Sequence, residues 1–108
     1  MLEDVLVNRQ RRRRIDSTRV RRVLAGAAKA LRVSGEVALV FAGDRTLRGL
    51  NLQYRGKDKA TDVLSFPGSP ETGLGDIVIS VETAARNARG LGRTVPQELD
   101  VLALHGFL

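Results

Sequence analysis

The sequence predicts one small domain in which helices pack against a β-sheet. Short apolar runs of strand length alternate with longer segments whose apolar residues recur at helical spacing. The 108 residues are enough for a single hydrophobic core. A strand, a helix and a second strand fall within the first 42 residues, and such a unit usually forms a crossover between parallel strands. We therefore expect a single domain in which helices pack on a sheet.

The first half of the chain is predicted to form two strands and the helix between them. Residues 2–8 form the first strand, because Val5, Leu6 and Val7 lie between charged residues. The helix follows the candidate N-caps at 16–18 and is expected to end at Ser34-Gly35. Its apolar residues are Val20, Val23, Leu24, Ala27, Ala28 and Leu31. Residues 36–42 are a continuous apolar run, which is typical of a strand in a covered sheet.

The second half is predicted to contain three further helices and two further strands. Asp44 is expected to cap a short helix, and strands follow at residues 63–66 and 76–80, separated by a turn-rich connection at 68–75. A helix then runs from Val81 to about residue 90. The last helix begins after Thr94, because a glutamine three residues later and an early proline complete a helix-start pattern.

The composition indicates a globular protein with a local basic patch. No apolar run reaches membrane-spanning length and the N-terminus has no apolar signal-peptide core, so a cytoplasmic location is expected by default. The absence of cysteine is compatible with that location. The net charge is +6, and residues 1–22 account for most of it with eight arginines against three acidic residues. Arg9 and residues 11–14 can bind phosphates, since guanidinium groups stay charged and offer several donors. A solvated connection is the alternative interpretation.

Residues 54–67 break the helical periodicity and place cations around Gly56. Arg55, Lys57 and Lys59 alternate there with small or polar residues, as in a loop that presents positive charge to a ligand. An exposed arginine in a loop without a specific role is the alternative for Arg55.

His105 is the only histidine, and with no cysteine in the chain it is the one good transition-metal ligand. On its own it is better interpreted as an ordinary half-buried or helix-terminal histidine than as a metal ligand. Structural roles are predicted for the other polar candidates. Asp62 lies at the start of a strand, where it can cap or hydrogen-bond the preceding loop, and Ser65 has no histidine nearby in sequence to activate it. Asp76 suits a strand-edge hydrogen-bonding residue, and Glu98 suits a first helical turn.

Three stretches, at residues 54–67, 75–80 and 98–108, closely resemble the YbeY family, metal-dependent endoribonucleases of bacterial ribosomal RNA maturation. The resemblance extends from the first strand to the last residue. It implies an α+β fold, with a small mixed four-stranded sheet, about four helices and a zincin-like metal helix. The implied activity is hydrolysis of single-stranded RNA in maturation of the small-subunit (16S) rRNA and in ribosome quality control. The implied partners are RNA and the ribosome.

The resemblance also implies a zinc ion, Zn²⁺, held by three histidines. The family motif His-Gly-x-Leu-His-x-x-Gly-x-Asp-His matches this sequence at its first four positions, from His105 to Leu108. Histidines four residues apart share one helix face and can bind one metal. Residues 1–108 are thus expected to form a single domain that lacks part of the metal site and is inactive by itself. Arg55 is implied as a catalytic phosphate clamp, and Lys57 and Lys59 as further RNA-binding residues.

Two other functions remain open at this point. The chain can be a non-catalytic RNA-binding or ribosome-associated module that uses the arginine-rich segment and the loop around Arg55. It can also be a zinc-dependent hydrolase that acts on a substrate other than RNA, although the basic patch favours RNA. A monomer is expected in each case.

Overall fold

Four strands form one mixed sheet in the computed structural model, which describes residues 2–69 and 73–108. The spatial order is β1-β2-β4-β3. The strands β1 (Leu2–Asn8), β2 (Gly35–Ala42) and β4 (Gly75–Ser80) are parallel, and β3 (Val63–Pro67) is antiparallel to β4. This arrangement confirms the predicted α+β fold with a mixed four-stranded sheet. The predicted turn at 68–75 includes residues 70–72, which lie outside the described residues.

Four helices cover the two faces of the sheet: α1 (Ser17–Leu31), α2 (Asp44–Arg55), α3 (Val81–Leu91) and α4 (Val95–Phe107). Helix α4 contacts both α1 and α3, and these three helices share one face. Helix α2 packs on the other face, against β3 and β4. In the part of the chain that the structure describes, no helix is long and apolar enough to cross a membrane.

Alternation of side chains along the strands divides the core into two layers. Leu39, Phe41, Ile77 and Ile79 are almost fully buried and pack beneath α1, α3 and α4. The residues between them point the other way, where Val78 and β3 residue Leu64 pack with Leu47 of α2. Because β2 and β4 bury both faces, their sequences are continuous apolar runs. This burial explains why the strands were recognisable from sequence.

The first helix ends earlier than the sequence predicted. Helix α1 stops at Leu31, and Arg32 adopts a left-handed conformation with φ 56°. The N–H of Arg32 donates to the carbonyl of Lys29, and the N–H of Val33 donates to the carbonyl of Ala28. These two hydrogen bonds form a Schellman-type cap, which satisfies the last carbonyls without a glycine. The predicted stop at Ser34-Gly35 was therefore wrong, and Gly35 instead opens β2.

Asp44 does not cap α2, contrary to the prediction. The N-cap is Gly43, and Asp44 is the first helical residue. Its carboxylate accepts hydrogen bonds from Ser80 Oγ (2.6 Å), Thr83 Oγ1 (2.6 Å) and Arg86 Nη2 (2.7 Å), all at the start of α3. Burial raises the pKa of Asp44, but these three hydrogen bonds and the charge of Arg86 outweigh it and lower the pKa below its usual value. Asp44 thus joins the N-terminal ends of α2 and α3.

The Asp44→Asn variant should be less stable at pH 7 by about 1–2 kcal/mol, because it loses charge-assisted hydrogen bonds. A lowered folded-state pKa gives stability that is complete above the unfolded-state pKa of about 3.9 and is lost as the pH falls through the folded value. Urea unfolding of both proteins at pH 7 and at about pH 3 measures this difference, which should shrink at the lower pH.

Asp58→Asn is the matched control for this prediction. Arg48 lowers the pKa of Asp58 in the same direction, but both side chains are more than half exposed. Solvent screening should make its effect smaller than that of Asp44→Asn. Equal destabilisation by the two variants, or a difference independent of pH, would contradict the role given to Asp44.

Candidate functional site

The ends of α2 and α4 meet β3 and β4 around a cleft of about 810 Å³. Arg55 enters it from the last turn of α2, and His105 enters it from the last turn of α4. These residues are 50 positions apart in sequence, and the fold brings them to one cavity. The size is that of a small-ligand site. Most of the remaining wall is apolar: Leu31, Val33, Val37, Val63, Leu64, Phe66, Leu74, Ile77, Phe107 and Leu108.

The Arg55 guanidinium is held against β3 and not displayed on a free loop. Its Nη2 donates a hydrogen bond to the carbonyl of Ser65 at 3.1 Å. Its Cζ lies 5.6 Å from the ring centroid of Phe66, which is a cation–π distance. Tyr54 packs edge-to-face on the same ring, with centroids 5.1 Å apart. A guanidinium has five N–H donors, so this placement leaves donors for a ligand in the cleft.

The end of α4 is fixed to the sheet by Ser65 and Gly106. Ser65 Oγ donates a hydrogen bond to the carbonyl of Gly106 at 2.7 Å. A Cβ atom added to Gly106 would lie only 2.6 Å from Cγ2 of Ile77. The helix therefore approaches the strands as closely as a glycine allows. Since the carbonyl of Ser65 accepts from Arg55, one residue links both sides of the cleft.

This position confirms the structural role predicted for Ser65. Its hydroxyl group donates a hydrogen bond to a backbone carbonyl and forms none with an imidazole among the described residues. The sequence could not show the link to Gly106, because the two residues are 41 positions apart.

Lys57 and Lys59 do not line the cleft that holds Arg55 and His105. Gly56 adopts a left-handed conformation with φ 69° and turns the chain away from the axis of α2. Lys59 then lies in a separate hollow beside Arg48, and its carbonyl accepts a hydrogen bond from Asn51 at 2.9 Å. Both lysines are exposed. The structure thus separates them from Arg55, and their RNA-binding role stays a prediction.

Of the remaining acidic candidates, Asp62 and Glu98 make structural contacts, whereas Asp76 lines the cleft. Asp62 accepts a hydrogen bond at 2.8 Å from the N–H of Val63, which is the first residue of β3. Asp76 was predicted as a strand-edge hydrogen-bonding residue. It is instead an exposed residue of β4, a strand inside the sheet, and it lines the cleft together with Arg55 and His105. Glu98 lies in the first turn of α4 as expected. Unexpectedly it is only 3% exposed, and its Oε1 lies 3.3 Å from Arg93 Nη1.

The residues present do not fit a zinc site on their own. His105 is the only histidine of the sequence, and there is no cysteine. Among residues 2–69 and 73–108, no group of three or more histidine, cysteine, aspartate or glutamate side chains is placed to hold a metal ion. Zinc sites in proteins use three or four protein ligands. His105 can supply one of them.

Comparisons with known proteins agree on one family. A family model described as endoribonuclease YbeY matches residues 5–108. An endoribonuclease YbeY of Anaeromyxobacter sp. (strain Fw109-5) is 50% identical over 91 residues, which cover 81% of this chain and 47% of that protein. The Thermus thermophilus endoribonuclease YbeY is 45% identical over 96 residues, which cover 82% of this chain and 69% of that protein. The chain spans about half the length of several curated relatives that it matches.

A solved structure has the same fold. The solution structure of TM1509 from Thermotoga maritima superposes with a TM-score of 0.67 and 23% sequence identity. The match covers 96% of this chain and 69% of that chain. At this identity the likeness concerns the fold, and it agrees with the mixed four-stranded sheet described above.

Proposed function

Because the chain belongs to the YbeY family, we propose that it functions in an endoribonuclease that hydrolyses single-stranded RNA. We place this activity in maturation of the small-subunit (16S) rRNA and in ribosome quality control, in the cytoplasm and with a monomeric protein. One observation carries the proposal: Arg55 and His105, distant in sequence, line the same cleft. Cleavage of a phosphodiester needs a cationic donor beside the reacting phosphate, and this cleft supplies one.

Arg55 is the residue proposed to bind that phosphate. Its guanidinium can donate two parallel hydrogen bonds to the non-bridging oxygens, which fixes the phosphate in one orientation. The positive charge also offsets the negative charge that develops during cleavage. The contacts with Ser65 and Phe66 hold the group in place before RNA binds, so little reorganisation is needed. Lys57 and Lys59 are proposed to attract RNA without specific contacts.

His105 is proposed as one ligand of a Zn²⁺ ion. Zinc in such sites acts as a Lewis acid and lowers the pKa of a bound water. The 108 residues supply one imidazole where a zinc site needs three or four ligands, so they do not hold zinc by themselves.

We therefore expect weak zinc binding by the 108-residue chain. Isothermal titration calorimetry with Zn²⁺ should show no tight one-to-one binding, and His105→Ala should behave like the unaltered chain. Tight stoichiometric binding that disappears in His105→Ala would contradict the claim that these residues form only part of the site.

Cleavage tests the proposed function directly. A polypeptide that also supplies the two further histidines of the family motif is incubated with a labelled single-stranded RNA oligonucleotide and Zn²⁺. Cleavage that is abolished by a chelator is expected. No cleavage with any divalent metal, despite salt-sensitive RNA binding, would overturn the nuclease proposal.

That second outcome would favour a non-catalytic RNA-binding or ribosome-associated module. The observation that supports this alternative is the arginine-rich segment, whose side chains lie outside the cleft. RNA binding without cleavage in a protein that holds zinc with three histidines would establish it.

A further inference from the structure

A second groove, of about 730 Å³, has a strongly basic wall. Among the described residues, Glu82 is the one acidic side chain in that wall. We call this surface the arginine groove, after the six arginines that line it: Arg9, Arg11, Arg12, Arg13, Arg86 and Arg89. It joins the segment after β1 to helix α3, two parts of the chain that are far apart in sequence.

The arginine groove lies at the carboxyl ends of the parallel strands. Arg9 follows β1, Gly43 follows β2 and Val81 follows β4, and all three residues line the groove. Crevices at these strand ends are the usual ligand positions in open α/β sheets. The His105 cleft is instead lined by Gly75, where β4 begins. The two cavities therefore lie toward opposite ends of the sheet.

The arginines that follow β1 lie on a turn that is held by hydrogen bonds. Gln10 Nε2 donates to Asn8 Oδ1 (2.9 Å) and to the carbonyl of Arg13 (2.7 Å), and Gln10 Oε1 accepts from the N–H of Arg13 (3.0 Å). The N–H of Arg9 donates to the carbonyl of Phe41 at 2.7 Å. Ordering in advance lowers the entropic cost of binding. These hydrogen bonds favour a preformed binding surface over a merely solvated connection between β1 and α1.

Most of the positive charge in the groove has no counterion among the residues that the structure describes. Arg86 pairs with Asp44 at 2.7 Å, and Arg12 lies 3.6 Å from Glu82 with its side chain 80% exposed. Like charges held together oppose folding, unless an anion from solution neutralises them. Four arginines of the groove form no ion pair with an acidic residue that the structure describes: Arg9, Arg11, Arg13 and Arg89.

We propose that the arginine groove binds the phosphate backbone of RNA, as a second contact surface away from the His105 cleft. The choice of RNA among polyanions rests on the proposed function. Guanidinium groups bind phosphate oxygens through two parallel hydrogen bonds, and several of them along a groove match a repeating anion. Contacts of this kind position a strand without reading its sequence. The groove thus increases the affinity for RNA whose cleavage site lies elsewhere on the protein.

RNA binding by charge-matched variants tests this proposal. The variant Arg11→Gln/Arg13→Gln removes two charges from the groove and keeps the backbone hydrogen bonds of Arg13. The control Arg22→Gln/Lys29→Gln removes two exposed charges from α1, and these residues line neither cavity. Affinity for a single-stranded RNA oligonucleotide is measured against salt concentration, with a chelator present to prevent cleavage.

The groove variant should bind RNA roughly tenfold more weakly at about 0.1 M salt. The slope of log affinity against log salt should become shallower by about 1.4, since each single-strand phosphate contact contributes about 0.7. The control should change neither quantity appreciably. Equal losses in both variants would overturn the proposal, because net charge alone would then explain them. Equal affinity for an oligoglutamate of the same charge would overturn RNA as the partner.

Two outcomes distinguish a failure of the arginine-groove proposal from a failure of the proposed nuclease function. Cleavage of RNA together with unchanged affinity in the groove variant would overturn the arginine groove alone. A protein with the complete histidine motif that binds RNA through the groove and cleaves none would overturn the nuclease function and leave the groove in place.

Discussion

Replacement of Arg55 by glutamine is expected to lower kcat for RNA cleavage about 10²- to 10³-fold. The guanidinium lies in the cleft with His105 and is held there by the Ser65 carbonyl at 3.1 Å. Glutamine keeps hydrogen-bonding capacity but loses the charge that offsets negative charge in the transition state. Single-turnover cleavage by a polypeptide with the complete histidine motif gives the rate. The RNA Kd, measured with a chelator, should change little, because many other cations attract the strand.

Arg45→Gln is the matched control. Arg45 is exposed near the start of the same helix and lies outside the cleft. This variant should cleave RNA at close to the original rate. Arg55→Lys should recover part of the activity, since lysine restores the charge without the planar fork. An unchanged kcat together with a raised KM in Arg55→Gln would show that Arg55 only attracts RNA, and its catalytic role would then be rejected.

Gly106→Val should destabilise the protein by about 3 kcal/mol, because α4 has no space for a side chain there. Even a single Cβ would approach Ile77 Cγ2 to 2.6 Å and Ser65 Oγ to 3.0 Å. Ile77 is buried on β4 and β-branched, so its methyl group cannot easily move. Chemical denaturation gives the change in the free energy of unfolding. The variant should also displace His105, and zinc affinity in the complete motif should fall with it.

Gly90→Val provides the control for this prediction. Gly90 lies in α3. Apart from its chain neighbours and the nearby helix backbone, no heavy atom would lie within 4 Å of a Cβ atom added there. Valine has a higher helix propensity than glycine, so this variant should be neutral or slightly stabilised. Similar destabilisation by both variants would show that the close approach at Gly106 does not constrain the end of α4.

Local patterns in the sequence were sufficient to predict the elements of the fold. Buried strands β2 and β4 are continuous apolar runs, and the capping box at Thr94 is confirmed by hydrogen bonds of 2.9 and 3.2 Å with Gln97. These signals act over a few residues, and tertiary contacts reinforce them. The parallel pairing of β1 with β2 follows from the crossover in the same way.

Predictions failed where the outcome depends on hydrogen bonds that residue type and periodicity do not reveal. Asp44 fits an N-cap by its residue type, but Ser80 and Thr83 bind its carboxylate from 36 and 39 positions away. Arg32 takes a conformation that usually belongs to glycine, because two backbone hydrogen bonds compensate for it. Periodicity contains no information on either contact.

In the candidate site too, local motifs were recognisable from the sequence, whereas contacts between distant residues were not. Arg55 and His105 were identifiable through their motifs, whereas the hydrogen bonds of Ser65 to Arg55 and Gly106 had no signal in the sequence. Lys57 and Lys59 are close to Arg55 in sequence, yet the left-handed turn at Gly56 separates them from the cleft. The arginine groove likewise depends on α3 residues that sequence proximity could not associate with the segment after β1.

The central claim is that Arg55 and His105 form two sides of one RNA-binding cleft. An NMR titration with a single-stranded RNA oligonucleotide tests it most directly, in the Arg11→Gln/Arg13→Gln background and with a chelator present. The amide signals of Arg55, Ser65 and Gly106 should shift together, over the same range of RNA concentration, while those near Arg45 stay in place. Shifts that leave these three residues unaffected, with RNA bound elsewhere, would contradict the account.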